Sequence, residues 1–159
     1  MPIFPTNGAK MFIGGAVDDR DTDFVEADFA AESWLEINGM TNMGEFGDTS
    51  EVITANIINL NRTKKAKGTR NAGNMAAVAA FNASDPGQLA LRAAEKTSLN
   101  YAFRVVFNDA PPGGHPSERM FVALVMGART TFNEANNVVN LTGGLEINSN
   151  IVEIDRGVP

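Results

Sequence analysis

The sequence predicts a mainly β fold of α+β type: an antiparallel β-sandwich or rolled barrel flanked by one α-helix. Three observations predict it. Short runs rich in β-branched and aromatic residues recur along the 159-residue chain, separated by Gly, Pro and Asn turns. Only one segment, DPGQLALRAAEKT at 85–97, carries both the start signals and the apolar stripe of a helix. Most connections between the runs are short, which favours antiparallel pairing.

Taken in order, residues 1–31 are acid-rich and punctuated by Pro and Gly, and read as an N-terminal arm carrying one short strand at 11–15. WLEIN at 34–38 reads as a strand, and GMTNMGEFGDTS after it as turn material. EVITANIINL at 51–60 is a strand candidate with partial alternation; 61–73 follows as an extended polar loop, and 75–81 resumes an apolar strand. In the helix Asp85 is the expected N-cap, Pro86 the first helical residue and Gln88 the partner completing a capping box. Leu89, Ala90, Ala93 and Ala94 form its expected apolar face. In NYAFRVVFND, Tyr101, Phe103, Val105 and Phe107 share one strand face, with Arg104 and Asn108 on the other. DAPPGGHPS is a loop, 119–132 a long strand, and 136–154 one or two more, broken at Gly143-Gly144. A single domain over 1–159 is large enough to bury a core without staples.

Composition narrows the function. With no cysteine there is no disulfide framework, zinc-cysteine site or cysteine nucleophile. No charged segment followed by a long apolar one opens the chain. The longest apolar run, MFVALVMGA at 120–128, is about half of the ~20 residues that a membrane helix needs, so a soluble protein without a membrane partner is expected.

Charge is unevenly placed. Residues 1–53 hold eleven acids against Lys10 and Arg20, whereas Arg62, Lys64, Lys65, Lys67 and Arg70 fall in nine residues without an acid. The chain as a whole is at −6. A molecule with separate acidic and basic segments attracts copies of itself.

Chemical motifs fail in detail. Gly68 and Gly73 have the spacing of a phosphate-binding loop, but Asn74 and Met75 stand where Lys and Ser/Thr are needed, and no helix follows. Asp19, Asp21 and Asp23 alternate like the start of a calcium loop, yet Phe24 and Ala30 replace its Gly and Glu, leaving a solvated acidic face as the better reading. His115 is the only histidine, too little for a zinc centre or a Ser-His-Asp triad. Trp34 reads as core. No catalytic residue, metal or cofactor is expected.

For the basic segment three readings compete: a solvated loop, a nucleic-acid grip, and a docking element for another copy. Residues 61–73 lack the aromatics that usually interleave a nucleic-acid surface, and the acidic first third would repel phosphates. Docking uses both charge anomalies, with Asp18, Asp19, Asp21 and Asp23 as leading targets. A contact between two different patches is heterologous and closes a ring or propagates a filament.

Several motifs then fall in order: W34-L-E-I-N-G39, M43-G-E-F-G47, K65-A-K-G-T-R-N-A-G73, D85-P-G-Q-L-A-L91, F121-V-A-L-V125 and L145-E-I-N-S-N150. Over about 30–155 the chain resembles the major tail tube proteins of long, non-contractile-tailed phages. Asn71 is a departure, since relatives are expected often to carry Asp there. The resemblance implies six copies per ring, rings stacked into a hollow tube for DNA ejection, inner sheets joined into one barrel, and an acidic lumen. It maps 61–73 onto an inter-ring loop, and makes Arg62, Lys64, Lys65, Lys67, Arg70, Asp18, Asp19, Asp21 and Asp23 the expected contacts between subunits. It implies as partners the chain itself, a tape measure protein and DNA in the lumen, and terminator and distal tail proteins. The place would be the virion tail, assembled in the host bacterial cytoplasm. A terminator or distal ring protein of the same fold is the alternative, and a DNA-binding module a more distant one.

Overall fold

A computed structural model describes residues 1–158. Its strands are β1 (Lys10–Val17), β2 (Leu35–Glu36), β3 (Met40–Asn42), β4 (Thr49–Ala55), β5 (Lys64–Asn71), β6 (Asn74–Ala80), β7 (Asn100–Val106), β8 (Glu118–Thr131), β9 (Asn140–Ile147) and β10 (Val152–Ile154). One helix, α1 (Pro86–Glu95), and a 3-10 turn (Glu26–Phe29) complete it. Eight strands form one sheet in the order β2-β1-β7-β8-β9-β6-β3, with β10 paired to β8; β4 and β5 pair only with each other. Every pairing is antiparallel.

Covalent connectivity forces the sheet to roll. The two ends of the path, β2 and β3, are joined by residues 37–39 alone. That link spans at most ~15 Å, whereas seven strands laid flat would set them ~29 Å apart. The core occupies one face and draws on both ends of the path, with Met11, Ile13, Ile37, Met75, Phe103, Phe121, Leu141 and Leu145 all buried together. Tyr101, Phe103, Val105 and Phe107 meet this cluster, as the alternation of β7 requires. A smaller cluster on the opposite face joins Phe24 and Phe29 to Ala102, Met120 and Val122, with Trp34 packed against it.

α1 lies against β1, β2 and β8. Asp85 caps it, accepting from the Gln88 amide at 3.0 Å. The expected capping box is only half made, because Gln88 Oε1 reaches past the cap to the Asn82 amide at 2.9 Å. The buried face is also rotated from the expected one: Gly87, Gln88, Leu91 and Ala94 are buried while Leu89 and Ala93 are exposed. A fully buried glutamine at the centre of that face hides it from an apolar count.

Three further expectations are corrected. Residues 39–50 contain a short edge strand, β3, besides their turns. The strand expected over 51–60 ends at Ala55. Gly143-Gly144 does not break β9: Gly144 lies opposite Gly127 on β8, and Gly143 sits under Leu91, where a Cβ would come within 3.0 Å of the leucine. The glycines there make room for the helix, and the real break is at 148–151.

Candidate functional site

The basic segment is not a loop. Lys64–Asn71 is β5, and with β4 it forms a two-stranded ribbon that shares no ladder with the main sheet. At ~3.3 Å per residue the eight residues of β5 reach ~26 Å. The root is fixed where Thr49 faces Asn71. There Thr49 Oγ1 donates to the Asn71 carbonyl at 3.2 Å, Arg70 Nη2 meets Asp48 Oδ2 at 2.7 Å, and the Asn71 side chain accepts from the Gly73 amide at 2.8 Å. Gly73, at φ 77°, turns the chain back into β6. Beyond the root every residue from Glu51 to Lys67 is exposed, since no third element covers either side.

Strand geometry sorts the five cations. Lys65 and Lys67 share a ribbon face with Thr54 and Val52; Lys64 lies on the other with Ala55, Ile53 and Ala66. Arg62 is in the turn, and Arg70 is at the root with an acid of its own chain. Among the described residues Arg62, Lys64, Lys65 and Lys67 form no ion pair.

The four candidate acids follow β1 and are all exposed. Their segment is held by Arg20, which pairs with Asp28 at 2.6 Å, donates to the Thr22 and Asp23 carbonyls, and lies 4.0 Å over the Phe24 ring. The Arg20 hydrogen bond and that from the Val25 amide hold the Asp28 carboxyl below its ordinary range. Asn150 fastens the next turn by accepting from the Phe24 amide and donating to its carbonyl, at 2.7 and 2.9 Å. Asp18, Asp19, Asp21 and Asp23 are left without a cation partner among the described residues. Asp23 alone approaches the ribbon: with Asp48, Arg70 and Asn148 it lines a polar cleft of about 420 Å³ at the root. The structure thus brings Asp23 and Arg70 to one cleft and leaves the other seven residues apart within a single chain.

Sequence reasoning missed two features here. Asp48 is the intrachain partner of Arg70. The ribbon also exposes Val52, Ile53, Ile57, Ile58 and Leu60, in the run that reads in sequence as a strand candidate over 51–60. Among the described residues no group of three or more His, Cys, Asp or Glu is placed to hold a metal. His115 pairs through its backbone with Gly157, at 3.0 and 3.2 Å.

No family profile and no curated protein matches the chain in sequence. Solved structures do match in fold. A chain of the anti-feeding prophage baseplate, a cryo-EM structure with 6-fold symmetry imposed, is similar at a TM-score of 0.71 and 12% identity, with 98% of each chain covered. A chain of the SPP1 tail tube is similar at a TM-score of 0.60 and 11% identity, over 98% of this chain and 81% of that one. This is a phage tail-tube-like fold. Residues 125–131 of β8 pair with β9 but, among the described residues, have no neighbour on the β7 side. Among the described residues no helix is long and apolar enough to cross a membrane.

Proposed function

We propose that this chain is a structural subunit of a phage-type tail tube, its copies joining in hexameric rings that stack into a hollow conduit for DNA ejection. The observation that carries the reading is a tail-tube-like fold bearing a cationic ribbon with no place in its own chain. The ribbon over 49–71 holds five cations and one acid, Glu51, and so carries +4; with the whole chain at −6, the remainder carries −10. Its nearest electrostatic complement is another copy. Arg62, Lys64, Lys65 and Lys67 meet acids of the adjacent ring, with Asp18, Asp19 and Asp21 the leading ones and Asp23 and Arg70 at the margin. The open side of β8 is a template for lateral pairing within a ring. A tape measure protein and DNA occupy the lumen, terminator and distal proteins the ends, and the tail of the virion is the place, after assembly in the host cytoplasm. The subunit does no chemistry.

Negative-stain electron microscopy of the purified chain tests this. Tubes of indefinite length are expected. Isolated rings would instead favour a terminator or distal ring protein, a reading to which the baseplate likeness lends weight. Tight, salt-sensitive binding of DNA by the monomer would favour a nucleic-acid module.

A further inference from the structure

We infer that the far end of the ribbon is a hydrophobic anchor that buries in a second copy of this chain, with the lysines as its polar rim. This rests on the self-association reading above and adds what holds the contact together. Of the large apolar side chains exposed on the molecule, five fall within the nine residues 52–60: Val52, Ile53, Ile57, Ile58 and Leu60. Ile58, in the turn, is wholly exposed at 105%, and Val52 is 69% exposed. A scattered surface leucine needs no explanation, but a cluster on an element without a core marks a contact surface.

The ribbon's own stability points the same way. Two strands without a third neighbour are marginal in water. Beyond the root, the side-chain bond within the ribbon is Thr63 to Asn56 at 2.8 Å, and the turn adds the Leu60 amide on the Ile57 carbonyl at 3.0 Å. The charge imbalance names the occupant as a second copy. Charge and apolar area then divide the work. Exposed lysines act over a Debye length and speed the encounter, whereas desolvated aliphatic groups slow dissociation. Turn and strands place Ile57 and Ile58 at the leading end, ahead of Lys64 and Lys65, so the apolar groups enter the partner first.

The test compares the wild-type chain with Ile57→Ser/Ile58→Ser and Lys64→Gln/Lys65→Gln/Lys67→Gln by sedimentation velocity and electron microscopy, from low salt to about 1 M. Ile58→Ala serves as a milder second variant. All five side chains replaced in the doublet and the triplet are exposed, so melting curves and Trp34 fluorescence should match the wild type. The isoleucine doublet should raise the critical concentration for assembly more than about tenfold, the return of two aliphatic side chains to water. The glutamine triplet should slow assembly yet reach the same end point, and wild-type assemblies should survive high salt. Assembly of the doublet at the wild-type critical concentration overturns the anchor while leaving self-association standing. A wild-type chain that stays monomeric throughout overturns self-association itself, and the anchor with it.

Discussion

Gln88 fastens the turn at Asn38: its Nε2 donates to the Asn38 carbonyl at 2.9 Å and to that of Ala80, also at 2.9 Å. Asn38 lies in the link between β2 and β3, and Ala80 ends β6. Asp85 grips the same link, accepting from the Asn38 side chain at 2.6 Å and from its amide at 3.2 Å. The D-P-G-Q run is therefore more than a helix start. It clasps the seam where the rolled sheet meets itself, and every polar atom of the buried glutamine side chain is partnered.

Replacing Gln88 by Leu would keep the bulk but leave the Asn38 and Ala80 carbonyls and the Asn82 amide without their partner. A loss of about 2–4 kcal/mol is expected, the scale for several buried groups left unsatisfied. Chemical denaturation measures it, and a midpoint equal to the wild type would refute the clasp.

Gly87 has no room for a side chain, since a Cβ there would fall on the Glu36 carbonyl and the Ile37 backbone. Gly87→Ala must push α1 off β2, and overpacking against backbone costs about 1–3 kcal/mol. Gly127 offers the control: nothing lies within 4 Å of its would-be Cβ, so Gly127→Ala should leave the melting temperature almost unchanged.

Asp109 closes the 109–117 loop by accepting from the Ser117 amide at 2.7 Å and its hydroxyl at 2.6 Å. Burial pushes its carboxyl up, but the two Ser117 hydrogen bonds and the Arg156 charge outweigh this and hold it below its ordinary range. A carboxyl depressed on folding contributes stability that is present above the unfolded value and lost as pH falls through the folded one. Asp109→Asn should therefore be less stable at neutral pH, and its stability should fall less steeply below about pH 4. Denaturation midpoints across that range decide it; parallel profiles would speak against the pairing.

Charge reversal probes the ribbon differently from neutralisation. Lys64→Glu/Lys65→Glu/Lys67→Glu sets three acids against an acidic partner surface, and like charges in an interface are strongly unfavourable. The variant should remain a folded monomer by circular dichroism and form no tubes under the microscope. Normal tubes would remove the lysines from the contact.

The body of the fold was legible because its strands have a buried side to declare. β7 shows Tyr101, Phe103, Val105 and Phe107 on one face, and β6 and β8 are continuous apolar runs. The ribbon was half legible for the opposite reason. With both faces in water, Lys64–Asn71 carries no alternation, and only the ladder with β4 makes it a strand. The isoleucines of 51–60 read as part of a strand, but nothing local says that they stay exposed, since a sequence does not say that the core is already full. Gln88 misled because its burial is set by three backbone groups remote from the helix in sequence or turned out of its ladder. Of the contact residues, the Asp48–Arg70 pair needed the root of the ribbon, which no local signal gives.

The ribbon's strands touch only each other, so their order is borrowed from the point where Thr49 and Asn71 are brought together. During synthesis residues 49–71 emerge before β7, β8 and β9, the strands that complete the roll. Until those arrive the root is held only by contacts within 48–73, and an isolated hairpin of this kind is marginal. On strand order alone, the ribbon should therefore take its fixed shape only once the body of the fold is complete.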